Sequence, residues 1–261
     1  MAPPRDDDVA IDSRDLSLAW NPRPGALRVV EGVSFRLPRA GTLAVMGPTG
    51  AGKSSLLAML AGRAPADLGV VGGDALVEGI SVRRPGRKHR VLTYVAGFLP
   101  QSAGAKLPAR LTVSETIAEP VTSRDRRVNQ RALSIRVAAL LDEMMLPLGA
   151  AAKYPYELSA GMRQRVAFAR ALMLQPTVLL ADEPFANMDV EVRRAAHEAI
   201  ARRRDDVGMA SVIVTNEDEV ARDLGAQVLV LRGGHPVAAG AHLDDLLWTP
   251  GGADDRRRAA S

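Results

Sequence analysis

The stretch Thr42-Leu43-Ala44-Val45-Met46-Gly47-Pro48-Thr49-Gly50-Ala51-Gly52-Lys53-Ser54-Ser55-Leu56-Leu57 decides the fold. Residues 42–46 form a continuous apolar run, the pattern of a strand covered on both faces. The run stops at Gly47, and beyond Gly52 the side chains Leu56, Leu57, Met59 and Leu60 recur on one helical face. The order is strand, glycine-rich loop, helix, and within it residues 47–54 fit the pattern G-x-x-x-x-G-K-[ST]. Glycines let backbone N–H groups turn inward around phosphate oxygens, and the helix start adds its partial positive charge. Gly47, Pro48, Thr49, Gly50, Ala51, Gly52 and Ser55 are therefore expected to wrap the phosphates of ATP. Lys53 is expected to reach the β- and γ-phosphates, with the Ser54 hydroxyl ligating Mg²⁺.

Upstream, residues 11–20 and 28–37 alternate as strands around the breaker Asn21-Pro22-Arg23-Pro24-Gly25. Downstream, residues 68–82 and 91–99 also read as strands. From 103 to 157 the character is helical. Thr112-Val113-Ser114-Glu115 is a capping-box pattern, and Leu133, Val137, Leu140, Leu141, Met144 and Met145 make a core-facing stripe. After Thr177 strands (178–182, 211–215, 227–231) alternate with helices (190–204, 217–224), which calls for a parallel sheet with helices on both faces.

Val178-Leu179-Leu180-Ala181-Asp182-Glu183 is an apolar strand ending in two carboxylates. Asp182 is placed to hold the Mg²⁺ shell and Glu183 to polarise an attacking water. Between the two motifs, Leu158-Ser159-Ala160-Gly161-Met162-Arg163-Gln164-Arg165 resembles the LSGGQ-like signature of ATP-binding-cassette (ABC) ATPases. The resemblance runs over residues 9–245. It implies a P-loop NTPase, RecA-like core with a mostly parallel sheet, an antiparallel β subdomain, and a helical subdomain inserted at 102–159 between core segments 9–101 and 160–245, with tails 1–8 and 249–261. It also implies site roles. Trp20 would stack on adenine, Gln101 would touch Mg²⁺ or the attacking water, and Asp189 would lie at a dimer interface. Leu158, Ser159, Ala160, Gly161 and Met162 would bind the γ-phosphate held by a second cassette. Two positions depart from the family pattern. Ala160 replaces a glycine, and Asn216 stands where the family has a switch histidine, a third member of the catalytic set with Glu183 and Gln101. The chain's four histidines, His89, His197, His235 and His242, all lie elsewhere.

Composition narrows the reading. Hydrophobic residues at 47% and charged residues at 25% allow a sizeable core, and the absence of cysteine excludes disulfides, thiolate metal sites and thiol catalysis. Net charge is +4, carried by arginine in runs such as 83–90 and 256–258, but with only 3% aromatic residues nothing favours base stacking, and no nucleic-acid partner is expected. Apolar runs such as 178–181 and 228–231 are far short of the roughly 18–20 residues a bilayer span needs, and the amino terminus lacks a signal-peptide core. A cytoplasmic chain, peripheral on the membrane, is expected. Leu107-Pro108, Ala118-Glu119-Pro120 and Tyr154-Pro155-Tyr156-Glu157-Leu158 resemble the oligopeptide, dipeptide and nickel importer ATPases. The family implies a second cassette, integral-membrane permease subunits and a solute-binding protein as partners. Two alternatives stay open: a non-transport ABC ATPase, and a degenerate cassette with low hydrolysis in a heterodimer.

Overall fold

In the computed structural model the described residues are 8–23 and 25–249, so most of both expected tails, and the 256–258 arginines, lie outside them. Strands β1 (Val9–Trp20), β2 (Arg28–Pro38), β4 (Leu68–Val77) and β5 (Ile80–Ser81) make an antiparallel sheet ordered β2-β1-β4-β5. A second sheet contains β3 (Thr42–Met46), β6 (Ala96–Leu99), β7 (Val178–Asp182), β8 (Ala210–Val214), β9 (Gln227–Arg232), β10 (His235–Gly240) and β11 (Leu247–Trp248), in the order β11-β10-β9-β3-β8-β7-β6. From β9 to β6 every pair is parallel, while β10 and β11 add an antiparallel edge.

Side chains alternate across the second sheet, and the alternation builds two cores. Leu43, Val45, Leu180 and Val212 point to one side, where they meet helix α1 (Lys53–Leu60), α2 (His89–Val95) and the antiparallel sheet. Ala44, Met46, Leu179 and Ile213 point to the other. There they meet α3 (Val113–Thr122), α4 (Gln130–Glu143), α5 (Ala160–Leu172), α6 (Val190–Val207) and α7 (Asp218–Asp223).

The Thr112 capping box is present: its hydroxyl accepts the N–H of Glu115 at 3.2 Å, while the Glu115 carboxylate accepts the N–H of Thr112 at 2.8 Å. Two expectations need correction. Residues 91–95 belong to α2 rather than to a strand. Their β-prone side chains are not covered on two faces, since Leu92 is buried but Val91 and Tyr94 are half exposed, so tertiary context overrides propensity. Met145 leaves the apolar stripe, because α4 ends at Glu143 and Met145 adopts φ 53°, which turns it outward while Met144 stays fully buried. The antiparallel edge was not expected at all. It follows from Gly233 and Gly234, whose positive φ values (55° and 86°) close a two-residue hairpin between β9 and β10.

Candidate functional site

The carboxyl ends of β3 and β7, adjacent to β8, open on one cleft of about 170 Å³. Thr49, Gly50, Ala51, Gly52, Lys53, Ser54, Ser55, Gln101, Asp182 and Glu183 line it, so most of the sequence-derived site converges there. The loop is set by close approach. Gly47 has φ 136°, and any Cβ on it would run into the carbonyl oxygen of Leu231, so only glycine fits where the loop leaves β3. Lys53 opens α1, and its ammonium donates to the carbonyls of Gly47 and Pro48, the latter at 2.9 Å. Burial lowers its pKa, opposed by the nearby Asp182 and Glu183 carboxylates.

Asp182 ends β7 and is 3% exposed. Burial pushes its carboxyl above the usual range. A hydrogen bond from Ser54 opposes this, the Glu183 charge adds to it, and Lys53 and Lys106 oppose it. A desolvated carboxylate beside a hydroxyl and the Gln101 amide is an all-oxygen donor set that suits a hard divalent cation such as Mg²⁺. Glu183 sits at φ 47°, an uncommon conformation for a non-glycine residue, with its N–H bonded to the carbonyl of Val214 at 3.0 Å. Lys106, which sequence reasoning passed over, donates to the Gln101 carbonyl at 3.0 Å and so reaches the same site.

Asn216 follows β8, and its Oδ1 accepts the N–H of Gly47 at 3.0 Å. The residue expected at the switch position is thus bound to Gly47, the first glycine of the loop after β3. Trp20, 41% exposed, lies in an adjoining cleft of about 560 Å³ that also contains Gly50, Val29 and Gly233.

Leu158–Met162 are not among the described residues lining the phosphate cleft. Ser159 caps α5 by accepting the N–H of Met162 at 3.2 Å, and Ser159 and Ala160 are exposed, whereas Leu158 is buried. Asp189 caps α6 through the N–H of Val192 at 3.0 Å and is likewise exposed. Of the histidines, His197 packs edge-on against Phe185 with ring centroids 4.3 Å apart. No cluster of three or more His, Cys, Asp or Glu with metal-holding geometry occurs among the described residues.

A wider groove, about 770 Å³, opens between α2, β6, α3 and α5. Arg63, Arg90, Arg124 and Arg170 line it, and Glu119, paired with Arg170 at 2.7 Å, is the one carboxylate among its described lining residues. Pro100, next to Gln101, is part of its wall. No described helix is long and apolar enough to cross a membrane.

Comparison with known proteins gives a consistent picture. Residues 30–186 match the family described as ABC transporter. The chain is 34% identical over 220 residues to an Fe(3+) ions import ATP-binding protein of Pseudomonas fluorescens, covering 84% of this chain and 59% of that protein. It is also 34% identical over 221 residues to a sulfate/thiosulfate import ATP-binding protein of Burkholderia mallei, covering 84% and 60%. The chain therefore spans about 60% of the length of these relatives. Among solved structures, the ATP-binding cassette MJ0796 in a dimeric post-hydrolysis state with ADP and phosphate superposes with a TM-score of 0.78 at 23% identity, over 88% of this chain and 97% of that one. The cbiO1 cassette of Clostridium perfringens, part of a transporter complex, superposes at 0.73 and 20% identity, over 90% and 89%. At these identities the two structures establish the fold.

Proposed function

The chain belongs to the ABC transporter family, and from that premise we propose that it is the ATP-binding, ATP-hydrolysing subunit of a solute importer, one half of a nucleotide-sandwich dimer on the cytoplasmic face of a membrane. The observation that carries this reading is the convergence of the phosphate loop, Gln101, Asp182 and Glu183 on one cleft.

Trp20 stacks on adenine, and the backbone of residues 47–55 cradles the phosphates. Lys53 leaves the carbonyls of Gly47 and Pro48 to meet the β- and γ-phosphates. Ser54, Asp182 and Gln101 would hold Mg²⁺, which would supply charge neutralisation at the phosphates. Glu183 polarises the attacking water. Ser159, Ala160 and Gly161, flanked by Leu158 and Met162, present the amino end of α5 to the γ-phosphate on the partner cassette, and the exposure of Ser159, Ala160 and Asp189 is what such an interface needs. Residues 9–245 act as one ATPase unit with the 102–159 insertion carrying the start of the signature.

The arginine-lined groove beside Gln101 receives a coupling segment of a separate permease, and a solute-binding protein delivers the cargo. The relatives' names concern ferric ion and sulfate, so the finer expectation of an oligopeptide, dipeptide or nickel importer has no support from them. The coarser reading, import of a small solute, is retained. A second reading is favoured by one observation: Asn216 is engaged by Gly47 and cannot supply an imidazole, as expected of a slow site in a heterodimer.

Equilibrium titration with Mg-ATP tests the assignment. Lys53→Ala removes a partly dehydrated cation from the triphosphate and is expected to abolish measurable binding, a loss of several kcal/mol. Unchanged affinity in that variant would overturn the site.

A further inference from the structure

Behind the phosphate cleft, one buried side chain joins two loops on which the chemistry depends. Gln164 lies in the first turns of α5, on the face shared with Phe168 and Leu172, and is 4% exposed. Its Oε1 accepts the N–H of Gly104 at 3.2 Å, and its Nε2 donates to the carbonyl of Pro184 at 3.1 Å. Gly104 lies in the short turn Ala103–Lys106 that follows Gln101, and Pro184 directly follows Glu183. The surrounding contacts leave no slack. A Cβ on Gly104 would fall 2.7 Å from the backbone nitrogen of Gln164, and a Cβ on Gly161 would fall 2.7 Å from the carbonyl oxygen of Asn187. The start of α5 is therefore keyed at once to the loop after Gln101 and to the turn after Glu183.

That turn needs holding. Glu183 sits at φ 47°, a conformation that persists only where its surroundings impose it. The bond from its N–H to Val214 fixes the turn from one side, and the bond from Gln164 to Pro184 fixes it from the other.

We propose that Gln164 is a positioning residue for hydrolysis: it keeps the Gln101 loop and the Glu183 turn in one register, so that a displacement of the loop, or of the signature helix that carries Gln164, reaches the carboxylate through a single amide. Because α5 also begins with the signature, this side chain links the segment facing the partner's nucleotide to the chain's own hydrolytic site. The inference rests on the ATPase reading above.

Two variants test it with the chain and its cognate cassette. Gln164→Leu keeps the volume and removes both bonds. Gln164→Glu keeps the acceptor for Gly104 and loses the donor for Pro184. Both should bind Mg-ATP within about threefold of wild type and keep KM, while kcat per nucleotide-binding site falls roughly tenfold to a hundredfold. In a Glu183→Gln background, Gln164→Leu should add no further loss, since the group it orients is gone. Unchanged kcat per binding site alongside a lowered unfolding midpoint would reduce Gln164 to a packing residue and overturn the proposal, as would additive losses in the double variant. Hydrogen exchange supplies a readout independent of turnover. Mg-ATP should slow exchange at both 101–106 and 183–189 in the wild type, but only at 101–106 in Gln164→Leu. Equal protection of both segments in the two proteins refutes the link. A wild-type chain that fails to bind Mg-ATP refutes the functional reading and this proposal with it, and is recognised without any Gln164 variant.

Discussion

The phosphate cleft and the arginine groove are both built to attract negative charge, yet they do it in opposite ways. In the cleft the positive potential comes from backbone N–H groups, a helix start and the ammonium of Lys53, set against the carboxylates of Asp182 and Glu183. In the groove it comes from side chains, Arg63, Arg90, Arg124 and Arg170, with Glu119 as their counterweight. A backbone cradle fixes its donors in space and suits a ligand of constant shape, such as a triphosphate. Long guanidinium arms tolerate a partner that shifts, and they set affinity by charge rather than by fit. The lesson is that the two sites should fail independently, one losing chemistry and the other losing attachment.

The largest expected separation comes from Asn216. Substituting Asn216→His restores a group able to contact the γ-phosphate and the attacking water. An aligned donor to developing charge is worth about 2.7–4 kcal/mol, so single-site turnover should rise by roughly 10²–10³, with ATP affinity nearly constant. Steady-state hydrolysis beside a binding titration checks this, and unchanged turnover would mean that the carboxamide already supplies the contact and the slow-site reading is wrong. A smaller effect is expected in the groove. Arg124→Glu should weaken retention of the permease by about 1–2 kcal/mol, near tenfold, and leave Mg-ATP affinity untouched. Co-purification from membranes together with nucleotide titration tests whether the two sites are separable.

The smallest effect concerns pH. Burial holds the His197 imidazole below its ordinary value, with Asp223 opposing, Arg193 reinforcing, and Glu217 and Glu219 opposing. The folded form disfavours the imidazolium, so this contribution to stability is complete above the ordinary histidine value near 6.5 and is lost as pH falls through the lower folded value. The unfolding midpoint should drop between pH 7.5 and 5.5 by more in the wild type than in His197→Gln. Equal drops would show that the contact with Phe185 does not depend on a neutral ring.

Legibility in the sequence follows from how local the cause is. Residues 42–60 carry three concordant signals, an apolar run, a fixed glycine spacing and a 3.6-residue stripe, and β3, the loop and α1 form there with Leu56, Leu57, Met59 and Leu60 buried. The Thr112 capping box is equally local. Residues 91–95 mislead because Val91, Thr93 and Val95 favour strands, whereas Leu92 and Thr93 are buried in a helix that leaves Val91 and Tyr94 half exposed. Convergence of Gln101 with Asp182 and Glu183 is a product of the β6–β7 pairing and is visible in sequence only through the family resemblance. The left-handed Glu183 backbone has no sequence signal. Gln164 has a faint one, a polar residue at the head of the 164–168–172 face whose other members are fully buried.

The central claim is that ATP joins two cassettes, with this chain's phosphate cleft closed by the partner's signature and its own Ser159 and Gly161 closing the other. The most direct measurement is the mass in solution of the Glu183→Gln protein with its cognate partner at saturating Mg-ATP, by light scattering on a sizing column. If Glu183 polarises the attacking water as proposed, removing its carboxylate should arrest the cycle after closure, so the account predicts a stable two-cassette species that disappears when ATP is omitted or when Lys53→Ala is added. A protein that binds Mg-ATP with normal affinity and still elutes as separate cassettes would contradict it.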